Sequence, residues 1–190
     1  QHLRFRRQRQ MCIRDRNKAG AKFSWEKLNW INSQYIKKME LTQLCKFIKK
    51  YWNDMGWESP STEWDLKLIN LIKDSMILLK DGIDQSKPFF FLSQMKKEGE
   101  EFLRSNIEAK ESLKLVLFYL KEKKISKVTN DNAREIINKI NVDHSIKKGI
   151  LMKSLRVAFF GCLSGPDLIQ SWELFSENKI DIPLIERCFI

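Results

Sequence analysis

Apolar side chains recur at helical spacing along most of this 190-residue chain, and that period leaves little room for a sheet. Leu41, Leu44, Cys45, Ile48 and Trp52 stand at i, i+3, i+4, i+7 and i+11, which is one apolar face of a helix ending near Gly56. No alternating strand followed by an Asn-Gly or Asp-Gly hairpin turn occurs in the sequence. The chain also shows no internal repeat. The expected fold class is therefore all-α, a helical bundle or superhelix.

Punctuation residues divide the pattern. Ser24 can cap a helix over about Trp25–Lys38, with Trp25, Leu28, Ile31 and Tyr35 as its core stripe. Trp57-Glu58-Ser59-Pro60 is a break, and Ser61 or Thr62 can start the next helix. There Leu68, Leu71, Ile72, Ser75, Met76 and Leu79 share a face, closed by Asp81-Gly82. Ser86-Lys87-Pro88 reads as a turn before the Phe89-Phe90-Phe91 cluster. A charged helix spans about 95–106, and Leu113, Val116, Leu117 and Leu120 mark another. Asp131 caps a helix carrying Ile136, Ile137 and Ile140. The next runs from Lys148 to Phe160 and stops at Gly161. Pro166 stands at or near the first turn of a helix over Asp167–Phe175, where its missing N–H costs least. Leu184, Ile185 and Cys188 lie on a last short helix.

Charge is uneven. Residues 1–16 hold six arginines and one acid, whereas residues 17–190 hold four arginines against 25 lysines. The string Met11-Cys12-Ile13-Arg14-Asp15-Arg16 resembles translated adapter read-through. We read 1–16 as a non-native or disordered basic segment and leave it out of the fold argument. The competing reading is a natural basic arm that holds nucleic acid through phosphate contacts. Without it, 29 basic side chains face 23 acidic ones, a net of +6, which is compatible with a polyanionic partner.

Other classes find no support. No run approaches the roughly 18–20 apolar residues of a membrane-spanning helix. The four cysteines, Cys12, Cys45, Cys162 and Cys188, form no CxxC pair, and neither histidine stands near one, so no zinc site is expected. Cys45 and Cys162 lie in apolar stretches and read as buried reduced thiols of a cytoplasmic protein. No P-loop or GxGxxG occurs, and no catalytic constellation is visible.

Three stretches carry a resemblance. The first is Trp25-Glu26-Lys27-Leu28-Asn29-Trp30-Ile31-Asn32-Ser33-Gln34-Tyr35-Ile36. The second runs from Leu68 to Leu79, followed by Phe89-Phe90-Phe91. The third is Leu151-Met152-Lys153-Ser154-Leu155-Arg156-Val157-Ala158 with Gly161 and Gly165-Pro166-Asp167-Leu168. In order and spacing they are similar to the region of bacterial glutamyl-tRNA synthetases that follows the catalytic half and reads the anticodon. The HIGH-like and KMSKS-like signatures of that family's ATP chemistry do not occur here.

The resemblance implies an arrangement and a set of roles. Residues 17–40 would end the stem-contact region, 41–95 would form a first anticodon-binding lobe, and 96–190 a second. The expected partners are tRNA-Glu and the catalytic domain of the same protein, with no membrane and no metal. ATP and magnesium are implied for the parent enzyme, no cofactor for this chain, and the chain alone is expected to be inactive.

Anticodon or tRNA contact is expected at Lys147, Lys153, Arg156, Gly165, Pro166, Leu168 and Ser75. Lys27, Trp30 and Asn32 are expected to touch a tRNA stem or the catalytic half. On physical grounds, Lys153 and Arg156 are three apart on one helix face. A guanidinium can donate in bidentate fashion to phosphate or to a base edge. The N-terminus near Pro166 offers backbone N–H groups to an anion. The plainer alternative pairs Arg156 with Glu173 or Glu186 and leaves Gly161 and Gly165 as helix ends. Ser75 stands where many family members carry a basic residue that helps to read the third anticodon base, a readout it cannot supply. The rival function is a helical protein–protein interaction module with a basic surface. A Lys153–Arg156 face packed inside the core would favour it.

Overall fold

The computed structural model describes residues 24–189, and among them it holds ten α-helices, two 3-10 turns and no strand. The all-α expectation is met. Residues 1–16 lie outside the described residues.

The first four helices are α1 (Trp25–Lys38), α2 (Leu41–Asp54), α3 (Thr62–Ile72) and α4 (Leu79–Phe90). They are followed by α5 (Lys97–Ser105), α6 (Ile107–Glu122), α7 (Asn130–Asp143) and α8 (Lys148–Phe160). The last two are α9 (Leu168–Glu177) and α10 (Asp181–Glu186). Among α1 to α7, three starts follow from side-chain capping, in which a short oxygen-bearing side chain takes an orphan backbone N–H. Ser24 accepts from Lys27 N–H, Ser61 from Trp64 N–H and Thr129 from Asn132 N–H. The cap of α7 is thus Thr129, and the expected Asp131 lies in the first turn, where its charge suits the helix dipole.

Helices α2, α3 and α4 pack together, and α6, α7 and α8 form a second group, with α9 touching α3, α7 and α8. A single apolar cluster joins the groups, from Leu44 and Trp52 to Leu151 and Trp172. Trp64 is fully buried and donates its Nε1–H to the carbonyl of Leu174 at 2.9 Å. Phe89 stacks on Phe175 with centroids 4.6 Å apart and planes 8° off parallel. Fully burying an apolar side chain of this size contributes about 1.5–3 kcal/mol.

The structure corrects the sequence reading in two places. The helix expected to run through Leu79 ends at Ile72, continues as a 3-10 turn over Lys73–Ser75, and breaks at 76–78. Asp81 does not close it. Its carboxylate accepts from the N–H groups of Ile77 and Leu78, both at 2.8 Å, and so starts α4. Gly82 is buried inside α4, where a Cβ would meet Ile48 Cδ1 at 2.6 Å and Met76 Cε at 2.7 Å. The expected Ser86–Pro88 turn is the last part of the same helix. Pro88 lies inside this helix without the N–H that would reach the carbonyl of Asp84, and the helix stops two residues later, at Phe90.

The second correction concerns α1. Of its fourteen residues only Ile36 is buried. The expected core stripe is exposed, at 70% for Trp25 and Tyr35, 44% for Leu28 and 43% for Ile31. Two side chains hold this helix to the 73–78 segment. Asn32 Nδ2 donates to Ile77 O at 2.6 Å, and Lys73 Nζ donates to Met39 O at 2.6 Å.

Candidate nucleic-acid interface

Helix α8 and the loop after it bring most of the candidate residues together. The helix is buried along Leu151, Leu155, Val157, Ala158, Phe159 and Phe160, which leaves Lys147, Lys148 and Lys153 exposed. It ends because Gly161 adopts φ +72°, a left-handed conformation in which a side chain is strained. A Cβ at Gly161 would also clash with Gln94 O. Gly161 thus ends the helix and lets another backbone segment approach.

Arg156 is half-buried, and its Nη1 donates to Gly165 O at 3.0 Å and Pro166 O at 2.9 Å. The alternative partners are engaged elsewhere, Glu173 with Lys67 and Glu186 with Lys121. Among the described residues no carboxylate pairs with Arg156, and its Nη2 and Nε donors carry no protein partner. The guanidinium is therefore held in place with its charge uncompensated and part of its hydrogen-bonding capacity unused.

The loop itself departs from expectation. Gly165 is exposed, but a Cβ there would meet the Phe160 ring at 2.9 Å, so its smallness serves packing on Phe160. Pro166 stands immediately before the N-cap, near the first turn of the helix as expected. Asp167 is the N-cap of α9, its Oδ1 accepting from Gln170 N–H at 2.9 Å. That carboxylate already occupies the electropositive end that an external anion would use. Leu168 is 1% exposed and belongs to the core, so its side chain cannot touch a ligand.

The other candidates lie apart. Ser75 is exposed at the end of the 3-10 turn, its Oγ 2.7 Å from Ile72 O and 2.6 Å from Gln85 Oε1. Gln85 escaped sequence reading because it stood in an expected loop. Lys27 and Trp30 are exposed on α1, Trp30 at 65%, whereas Asn32 is committed to Ile77 O. The aromatic run divides as three adjacent side chains must. Phe89 is buried, Phe90 packs edge-on to Trp52 and Trp64, and Phe91 is 46% exposed.

Cys45, Cys162 and Cys188 are buried and free. Burial raises the Cys45 thiol above its ordinary range and pushes that of Cys188 up to about 11, so neither is a thiolate at neutral pH. Among the described residues no group of three His, Cys, Asp or Glu side chains is placed to hold a metal ion. None of the described helices is long and apolar enough to cross a membrane.

Residues 29–180 match the family model described as an anticodon binding domain. The chain is 86% identical over 177 residues to a glutamate–tRNA ligase of Prochlorococcus marinus subsp. pastoris strain CCMP1986, covering 93% of this chain and 37% of that protein. It is 76% identical over 178 residues to a glutamate–tRNA ligase of Prochlorococcus marinus strain MIT 9515, covering 94% of this chain and again 37% of the other. The chain thus spans little more than a third of the curated relatives it matches. Among solved structures, a glutamate–tRNA ligase of Elizabethkingia meningosepticum superposes with a TM-score of 0.77 at 27% identity, covering 90% of this chain and 33% of that one. The corresponding Elizabethkingia anophelis synthetase gives a TM-score of 0.73 at 27% identity. With a family-model match running from Asn29 to Ile180, the chain belongs to the anticodon-binding domain family.

Proposed function

We propose that this chain is the tRNA-binding, anticodon-recognising part of a glutamate–tRNA ligase, the enzyme that attaches glutamate to tRNA-Glu at the expense of ATP in translation. The observation that carries the reading is Arg156. It is braced by two loop carbonyls, unneutralised by any described carboxylate, and placed in the stretch that matches the family. Single-stranded RNA bases are recognised by such fixed donors, and a guanidinium keeps its charge at any physiological pH. Exposed Lys153 on the same helix and Lys147 at its N-cap would add phosphate contacts. The Lys153–Arg156 face is not packed into the core, which counts against a protein–protein module.

On this reading α1 would lie against the rest of the ligase, which accounts for an apolar stripe left exposed here. ATP and magnesium would belong to that catalytic part, and no residue of this chain is assigned a step in its chemistry. The complete enzyme would act in the cytoplasm. The test is titration of the chain with tRNA-Glu and with a variant altered only in the anticodon. Tighter binding of the native tRNA is expected, and equal affinities would remove the recognition claim.

A further inference from the structure

The outer side of α2 carries a second basic feature. A groove of about 330 Å³ is lined by Lys46, Lys49, Lys50, Asn53 and Asp54. Lys46 and Lys50 are exposed and make no ion pair among the described residues. Lys49 is fixed by an ion pair to Asp65, whose side chain is wholly buried. The second carboxylate oxygen of Asp65 has no hydrogen-bond partner. Burying a carboxylate this way is costly, and its visible effect is to hold one ammonium against the helix. A lysine held in this way has less rotamer freedom left to lose when it meets an anion.

Two aromatic side chains follow groove lysines directly in sequence, Phe47 after Lys46 and Tyr51 after Lys50. Phe47 and Tyr51 lie four residues apart on α2 and are 44% and 45% exposed. Aromatic faces beside lysines are the combination that binds exposed RNA bases and their phosphates, by stacking and by charge. Helix α2 packs on α3 and α4, whereas α8 packs on α6, α7 and α10, so the groove and the Arg156 loop sit on different parts of the bundle. Asp54 on the rim and Asp65 behind Lys49 offset part of the charge, leaving two unpaired ammonium groups against one exposed carboxylate. That modest excess suits a contact that supports binding along the backbone and carries no sequence information.

We propose that the Lys46–Lys49–Lys50 groove, with Phe47 and Tyr51 at its side, is a second RNA contact that holds the sugar-phosphate backbone of the bound tRNA away from the Arg156 loop. The inference rests on the tRNA-binding reading above.

The experiment titrates the full 190-residue chain with labelled tRNA-Glu over a range of salt concentrations. The variants are Lys46→Gln/Lys50→Gln, Tyr51→Ala, and Lys110→Gln/Lys114→Gln on α6 as a charge-matched control. Equal urea midpoints exclude unfolding as the cause of any loss. The α2 pair should weaken binding roughly tenfold for native and anticodon-altered tRNA alike, and lower the salt slope by about one per lysine. Tyr51→Ala should weaken binding without changing the slope. Wild-type binding that survives the α2 pair with an unchanged slope, or an equal loss in the control pair, overturns the groove and leaves the tRNA reading standing. A wild-type chain that binds no tRNA overturns both.

Discussion

The carbonyl of Gly161 lies against Gly99. A Cβ built on Gly99 would meet that oxygen at 2.6 Å, and the same oxygen accepts the N–H of Lys96 at 2.9 Å. The end of α8 and the start of α5 thus meet backbone to backbone, with no room for a methyl group. Ala for Gly inside a helix ordinarily stabilises by about 0.5–1 kcal/mol. Here the sign should reverse for Gly99→Ala, because the obstructing atom is backbone and cannot rotate away. Gly161→Ala should cost more, about 2 kcal/mol or above, since it adds left-handed strain to a clash with Gln94 O. Gly149 in α8 has nothing within 4 Å, so Gly149→Ala should be neutral or slightly stabilising. Urea midpoints of the three variants check the ordering.

Lys67 joins three carboxylates, Glu63 at 3.3 Å, Glu173 at 3.0 Å and Glu177 at 3.2 Å, while Lys127 reaches Glu177 at 2.9 Å. The network ties α3 to α9. Burial pushes the Glu177 carboxyl up, but hydrogen bonds from Lys127 and Lys67 outweigh it and hold it below the ordinary value. Hydrogen bonding to Glu173 leads the causes that raise Lys67. For a carboxyl lowered in the folded state, the unfolded chain takes up protons first as pH falls. Its stabilisation is therefore present above pH 4.5 and lost as pH drops through the folded value. For Lys67 the stabilisation is complete below pH 10.5 and lost only at still higher pH. Lys67→Met should cost about 1 kcal/mol at neutral pH, because the lysine is partly exposed and screened. It should also flatten the acid limb of the stability–pH curve, as read by thermal melts between pH 3 and 7.

Much of the local structure is legible because it depends on near neighbours. Ser24 and Lys38 bound α1 by a cap and a charge bias, and Gly161 stops α8 through its own backbone freedom. Asp81-Gly82 misleads for the opposite reason. Whether Asp81 ends one helix or starts another depends on which N–H groups come within reach, and whether Gly82 is a hinge or a packing residue depends on Ile48 and Met76. The stripe of α1 shows a related limit, since periodicity identifies an apolar face without saying what covers it. In the candidate site, Arg156 stands out by residue type and motif. Its partners do not, because backbone carbonyls of a loop leave no mark in the sequence, whereas nearby acids do.

Arg156→Ala should weaken tRNA-Glu binding by about 1–3 kcal/mol and reduce the preference over an anticodon-altered tRNA. Lys96→Ala should change affinity by a few tenths of that, since the tertiary role of Lys96 uses its backbone N–H. Arg156→Lys restores the charge without the two-pronged brace on Gly165 and Pro166, so it should recover affinity at low salt but not discrimination. Parallel titrations with both tRNAs separate the outcomes. Equal losses for Arg156→Ala and Lys96→Ala would remove the loop from the reading surface.

Helix α1 should be the least stable of the described helices in the isolated chain. Among the described residues it contributes one buried residue to the core, and side-chain-to-carbonyl hydrogen bonds from Asn32 and Lys73 tie it to the 73–78 segment. Each such bond contributes about 0.5–1.5 kcal/mol net, and a fourteen-residue helix without packing is marginal in water. Native-state hydrogen exchange should find its amides opening at a much lower free energy than those of α8. Asn32→Ala should lower that local value by about 1 kcal/mol while leaving the global urea midpoint within error, because the core of α2, α3 and α4 does not depend on the contact. If α1 exchanged only with global unfolding, its exposed stripe would have to be stabilised within this chain, and the reading that it rests on the remainder of the ligase would lose its support.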